Sequence, residues 1–274
     1  MTFRRRRALT TALIAAATLA LALTGCAPTG AASPAPSPPP PSASGTAALR
    51  GQLTVYAAAS LQNAFENLLA QFADENPDVR VHPAVYDGSS VLATQIIEGA
   101  PADVFASADE KTLAAVAKAG EVSGSAHPFA TNTLRLITPP GNPAGISSLG
   151  DLARSDVSVV LCAPAVPCGA ASATLLEKAG VEATPASQEQ NVTAVLTKVE
   201  QGEADAGLVY ATDARAAGNA VHAIEPQGAA EVVNTYPIAE LRGAASPDVA
   251  RAFVDFVRGD RGRAVLAAAG FGAP

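Results

Sequence analysis

The chain has 274 residues, 49% of them hydrophobic, with a formal net charge of −7 and no tryptophan. An acidic balance excludes nucleic acid as a partner and adsorption to a membrane by charge. Aromatics at only 4% exclude a sugar site built on stacking platforms.

The first elements are for export. Arg4 to Arg7 form a basic cluster, Ala8 to Leu23 an apolar run, and Leu23-Thr24-Gly25-Cys26 reads as a lipobox. Residues 1–25 are therefore expected to be a lipoprotein signal peptide, since the apolar run is short for a membrane span. Cys26 is the expected lipidation site. The protein is expected on the outer face of the cell membrane, held there by lipid. The arginine cluster also leaves twin-arginine export open beside the general route. Loss of these four arginines takes the formal charge from −7 to −11. Residues 26–50 are a lipid-anchored tether of Pro, Ala, Ser, Gly and Thr that cannot bury enough apolar surface to fold. At ~3.1 Å per residue it would reach about 70 Å when extended.

From Gly51 onward, strand-like and helical segments alternate. Leu53–Tyr56 is a strand leading through three alanines to Ser60, which is expected to cap a helix with Leu61, Phe65, Leu68, Leu69 and Phe72 on its buried face. Val79–Val85 is a strand before Asp87-Gly88-Ser89-Ser90 and a helix over Val91–Glu98. Asp103–Ala106 and a helix over Glu110–Ala119 follow, then a strand at Leu134–Thr138. Val157–Cys162 leads through Pro164 and Pro167 to a helix from near Gly169 to Gly180. Asn191 caps a helix carrying Val192, Val195, Leu196 and Val199. Ala206–Tyr210 and Val232–Ile238 are further strands, and Pro247–Val257 a late helix. This order predicts α/β architecture, with largely parallel sheets covered by helices.

With Cys26 lipidated, Cys162 and Cys168 remain as one pair in an oxidising compartment, and a turn between them could bring their Cα atoms to ~5.5 Å. A metal site on these cysteines with His82, His127 and His222 is the rival. No histidine stands at ligand spacing from either cysteine.

Ligands of parallel sheets sit outside the carboxyl ends of strands, against helix N-termini that carry roughly half a positive charge. One such junction is an ordinary capped helix. Here the junction recurs, at Ser60, Gly88-Ser89-Ser90, Pro167-Cys168-Gly169 and Gln190-Asn191-Val192, with Tyr210 ending a further strand. Together they form a set of neutral donors suited to a tetrahedral oxyanion.

The segments Val55 to Leu61, Gly88 to Ile96 and Gly99-Ala-Pro-Ala-Asp103 to Asp109 carry a resemblance. Val166-Pro167-Cys168-Gly169, Asn191-Val192, Gly207 to Asp213 and Tyr236-Pro237-Ile238 extend it over nearly all of Gly51–Pro274. The chain resembles the molybdate-binding components of bacterial ABC uptake systems. The resemblance implies a two-lobed periplasmic-binding-protein fold of type II, with lobe one at 51–131 and 235–274 and lobe two at 132–234. It implies that Ser60 and Ser89 donate hydroxyl and backbone N–H bonds to the oxyanion. Cys168 and Val192 would donate backbone N–H groups, and Tyr210 its hydroxyl. Cys168 departs from the small uncharged residue usual there, which is tolerable if only its N–H is used; a bridge to Cys162 could alter how far the lobe closes. No cofactor is implied, and no residue ligates the metal directly, because molybdenum is held as its oxyanion. The implied partners are a membrane permease with its cytoplasmic ATPase, and the expected state is a monomer.

A deprotonated dianion needs donors only, so hydroxyls and amides suffice without a buried cation. Asp103 and Asp109 are then expected to be structural. Sulfate or another tetrahedral oxyanion is the alternative ligand, with sulfate selected against by cavity size, and tungstate is almost indistinguishable from molybdate by size and charge. An enzyme is not expected: Ser89 and Ser90 lie in no Gly-x-Ser-x-Gly elbow and the histidines show no paired carboxylate pattern. The four tyrosines are isolated, unlike the cluster a ferric site wants, and no arginine flanks the junctions to meet an amino-acid carboxylate.

Overall fold

A computed structural model describes residues 48–274. The signal peptide, Cys26 and nearly all of the tether lie outside the described residues.

Strand β1 (Gly51–Leu53) pairs in parallel with β3 (Val79–Val81) as a small separate sheet. β2 (Val55–Ala58) continues through a single 3-10 turn, Ala59–Leu61, into α1 (Gln62–Glu75). Ser60 therefore does not cap α1. It sits inside the 3-10 turn with no side-chain capping bond, because the tighter turn delays the α-helix to Gln62. The continuous strand expected at Val79–Val85 breaks into β3 and β4 (Val85–Asp87) around Pro83, which has no N–H for a ladder. α2 (Ser89–Ile97), β5 (Val104–Ala106) and α3 (Glu110–Lys118) follow as the periodicity predicts.

β6 (Val122–Asn132) escapes the sequence pattern because Gly124 and Pro128 interrupt it and much of its first half is exposed. It is followed after one residue by β7 (Leu134–Thr138). β8 (Val159–Cys162), α4 (Pro167–Ala179), β9 (Ser187–Glu189), α5 (Val192–Glu200), β10 (Ala206–Tyr210), α6 (Ala211–Ala217) and β11 (His222–Ile224) come next. β12 (Asn234–Leu241), α7 (Pro247–Arg258) and α8 (Asp260–Ala269) end the chain.

Two five-stranded sheets result, ordered β4-β2-β5-β12-β6 and β11-β7-β10-β8-β9. The expected parallel pairing holds in one half of each: β4-β2-β5 in the first, β10-β8-β9 in the second. The other half of each is antiparallel, built on β12 with β5 and β6, and on β7 with β10 and β11. The long pair β6–β12 sets Pro237 opposite Pro128, and the register shifts beside it, where two residues without N–H cannot sustain the ladder. The chain passes between the sheets at Thr133 and again between β11 and β12.

The few aromatic rings are concentrated. Phe72, Phe253, Phe65, Phe129, Tyr236 and Tyr210 form a row of edge-to-face contacts with centroids 5.2 to 6.4 Å apart. Each such pair contributes ~0.5–1.5 kcal/mol beyond its buried area. The row runs from the core of α1 and α7 to Tyr210, so the packing that stabilises the fold also orients a candidate site residue.

Candidate functional site

All four helix junctions and the end of β10 meet at one small cleft between the two sheets. Its lining includes Ala58, Ala59, Ser60, Asp87, Gly88 and Ser89 on one side, and Val166, Cys168, Asn191, Val192 and Tyr210 on the other. The five residues implied as ligands, Ser60, Ser89, Cys168, Val192 and Tyr210, are thus brought together. The cleft is nearly closed, with free space of about 10 Å³, on the order of one water molecule. No lysine, arginine or histidine is among the lining residues.

Each residue is placed by a local physical cause. The alanines 57 to 59 leave the end of β2 without bulk, so Ser60 reaches the cleft. Its Oγ lies 2.9 Å from the Tyr236 hydroxyl. Ser89 is the first residue of α2 and buried, and its Oγ accepts from the Ala108 N–H at 3.0 Å. One lone pair of that oxygen is therefore used, and its hydrogen is left to donate. Tyr210 is equally buried, and its hydroxyl accepts from Asn234 Nδ2 at 3.1 Å. Burial drives the Tyr210 phenol well above its usual pKa, so it remains a donor. Asn234 also donates to the Ala108 carbonyl at 2.9 Å, which ties the Ser89 and Tyr210 neighbourhoods to one amide.

The second side supplies helix N-termini. Cys168 and Val192 stand in the first turns of α4 and α5, where N–H groups have no intrahelical partner. Pro167 opens α4 at the position where a missing N–H costs nothing. Asn191 caps α5 by accepting from the Ala194 N–H at 2.9 Å, as its sequence position predicts. Cys168 is bonded to Cys162 with Cα atoms 5.8 Å apart, which pins the start of α4 to the end of β8 and leaves neither cysteine free as a metal ligand. Gly169 is required beside it, since a Cβ there would overlap the Ala163 carbonyl oxygen.

The aspartates flanking the site serve the fold. Asp109 caps α3 by accepting from the Thr112 N–H at 2.8 Å. Asp103 is buried and accepts from the N–H groups of Thr54 and Ala245, both at 2.6 Å. Asp213 accepts from the Tyr210 N–H at 3.1 Å, and burial raises its pKa to about 7, partly offset by that bond.

Three participants carried no assigned role in the sequence: Tyr236, Asn234 and Asp87. Asp87 is the one charged residue of the lining, and its Oδ1 accepts from the Gly88 N–H at 2.7 Å and from Asn191 Nδ2 at 2.8 Å. Its place directly before Gly88-Ser89-Ser90 was the available signal.

The arrangement offers hydroxyls and amides to a ligand that only accepts hydrogen bonds. The bacterial extracellular solute-binding protein family profile matches residues 53–272. The molybdate-binding protein ModA of Mycobacterium tuberculosis is 46% identical over 222 residues, covering 81% of this chain and 85% of that protein. ModA of Escherichia coli is 32% identical, with 81% and 89% covered. Among solved structures, the Azotobacter vinelandii periplasmic molybdate-binding protein superposes with a TM-score of 0.69 at 24% identity, covering 81% of this chain and 99% of that one. The sulfate-binding protein SubI of M. tuberculosis gives the same TM-score at 19% identity, with 81% and 86% covered. These two likenesses are of fold.

Proposed function

The chain belongs to the bacterial extracellular solute-binding proteins, and from that premise we propose that it binds molybdate outside the cytoplasm for delivery to an ABC importer. Tungstate, with the same charge and nearly the same size, is proposed as a second ligand. The observation that carries the reading is the donor set: the Ser60 and Ser89 hydroxyls on one wall, facing the Tyr210 hydroxyl and the N-termini of α4 and α5 on the other, in a cleft without a cation among its lining residues. Such a set satisfies a dianion that carries no proton of its own, and the low-dielectric surroundings strengthen each bond. Phosphate, which keeps a proton near neutral pH, would have to bring that donor into a cleft already filled with donors. Sulfate has the right charge but shorter bonds, so donors spaced for molybdate hold it loosely.

The remainder of the reading follows from this ligand. The sheet β4-β2-β5-β12-β6 forms the core of lobe one, residues 51–131 and 235–274, and the other five-stranded sheet that of lobe two, residues 132–234. The passages at Thr133 and between β11 and β12 are the hinge. Cys26 carries the lipid, the tether lets the folded part reach a permease and its ATPase, and the protein works as a monomer. Titration calorimetry with molybdate, tungstate, sulfate and phosphate tests the ligand. One molybdate per chain, with weaker sulfate and phosphate, is expected. Equal affinity for sulfate and molybdate would overturn the size argument. Membrane fractionation of the wild type and of Cys26→Ala tests the anchor, and recovery of the wild type as an unlipidated soluble protein would overturn it.

A further inference from the structure

A carboxylate in the wall of an anion site works against the ligand, so Asp87 needs an explanation. It ends β4 in one sheet, whereas Asn191 caps α5, which packs on the other sheet. The Asp87 Oδ1–Asn191 Nδ2 bond of 2.8 Å therefore spans the cleft. The same oxygen accepts the Gly88 N–H at 2.7 Å, and Asn191 Oδ1 is engaged by the Ala194 N–H, so each side chain is held by two hydrogen bonds. The walls are close at this point. A Cβ on Gly88 would overlap the Gln190 carbonyl oxygen, and Ser90 Oγ donates to the Ala165 carbonyl at 2.7 Å on the same rim. Of these cross-cleft contacts, the Asp87 bond is the one assisted by a charge.

Resting on the molybdate reading, we propose that Asp87 is a positioning residue that latches Asn191 across the cleft and holds the two walls at the spacing of the bound oxyanion. The carboxylate directs its charge into two protein donors instead of leaving it facing the guest. Its effect belongs to release of the ligand: opening the cleft breaks the latch, so the latch slows opening. Its residual negative charge acts in the opposite sense on entry.

The two senses separate in a kinetic experiment with molybdate as the probe. Asp87→Ala is expected to speed molybdate release roughly tenfold, the loss of one charge-assisted bond. Asp87→Asn keeps an acceptor oxygen and drops the charge, and is expected to release within about threefold of wild type while binding faster. Asn191→Ser keeps a hydroxyl cap on α5 but removes the Nδ2 donor. If the latch exists, adding it to Asp87→Ala changes release little further. Wild-type release from Asp87→Ala, or rates that multiply in the double variant, would overturn the proposal. Small-angle scattering of the ligand-free proteins reads the same latch without molybdate. Asp87→Ala is expected to be more extended than wild type and Asp87→Asn to match it, and identical profiles for all three would count against the latch. Failure of the wild type to bind molybdate would overturn the ligand reading alone, because the scattering result stands apart from it.

Discussion

The two walls of the cleft present similar donors by different means. The first wall, from β2, β4 and α2, uses side-chain hydroxyls, and each is held by a protein partner: Ser60 by Tyr236, Ser89 by the Ala108 N–H. The second wall uses mainly backbone N–H groups at the starts of α4 and α5, held by Pro167, the Cys162–Cys168 bridge and the Asn191 cap. A hydroxyl can be deleted by one substitution, whereas a backbone N–H survives any change of side chain that leaves the helix start in place. The first wall should therefore be sensitive to mutation in affinity, and the second in stability.

The sharpest break of that contrast is to remove the first-wall hydroxyls. Ser60→Ala and Ser89→Ala are each expected to weaken molybdate binding by roughly 1.5–3 kcal/mol, about ten- to a hundredfold, with the double variant weaker than either. Ser89→Ala also strands the buried Ala108 N–H and should lower the melting temperature, which Ser60→Ala should barely move. Calorimetry showing normal affinity in both single variants would remove the hydroxyls from the site.

Next in size is the bridge. Cys162→Ser with Cys168→Ser keeps the N–H at position 168 while releasing the loop, and is expected to cost roughly 2–2.5 kcal/mol of stability in the chain-entropy model. Thermal melts should show this clearly, with molybdate affinity changed less than by either serine variant. If affinity collapsed while the serine variants bound normally, the site would centre on the bridge, and the contrast between the walls would fail.

How much of this was legible follows from the same physics. Helices with a strong 3.6-residue pattern, such as α1, α3 and α5, could be read directly, as could the Asn191 cap, because their signals are local. β6 could not be read: its exposed first half and Pro128 carry no alternation, and it exists because β12 pairs with it. α6 directly follows β10 with no turn residues between them, so the apolar run of Ala206–Tyr210 masked its start. The junctions at Ser60, Ser89, Cys168, Val192 and Tyr210 were visible one by one, but their meeting at one cleft is a product of topology. Tyr236 and Asn234 act on residues far away in the chain, and nothing near them in sequence announces it; Asp87 is signalled only by its place before Gly88-Ser89-Ser90, and its bond to Asn191 is not.

A third test lies behind the second wall, in Asp213. Burial raises its folded-state pKa to about 7, above the ordinary carboxylate value of 3.8. The folded protein therefore binds a proton that the unfolded chain has lost, so stability falls as pH rises from the unfolded value through the folded one. Between pH 6 and pH 8 the expected loss from this group is about 1.4 kcal/mol. Asp213→Asn keeps an acceptor for the Tyr210 N–H and should flatten that part of the profile, gaining most at pH 8. Parallel profiles for the two proteins would show that Asp213 is not the group responsible.

The smallest expected effect compares two caps. Asp109 caps α3 beside the cleft without lining it, and Asn191 caps α5 at its wall. Either residue changed to alanine should lose about 1 kcal/mol of stability, since each leaves one N–H of a first turn without its side-chain acceptor. Their effects on binding should differ. Asp109→Ala should leave molybdate affinity within about twofold, because its carboxylate is spent on Thr112 and no donor to the oxyanion depends on it. Asn191→Ala frays the helix start that presents the Val192 N–H and also breaks the bond to Asp87, so affinity should fall along with stability. Chemical denaturation gives the first quantity and calorimetry the second. If Asp109→Ala weakened binding as much as Asn191→Ala, Asp109 would belong to the site, and the boundary drawn here between the capping and the binding residues of the first wall would have to move.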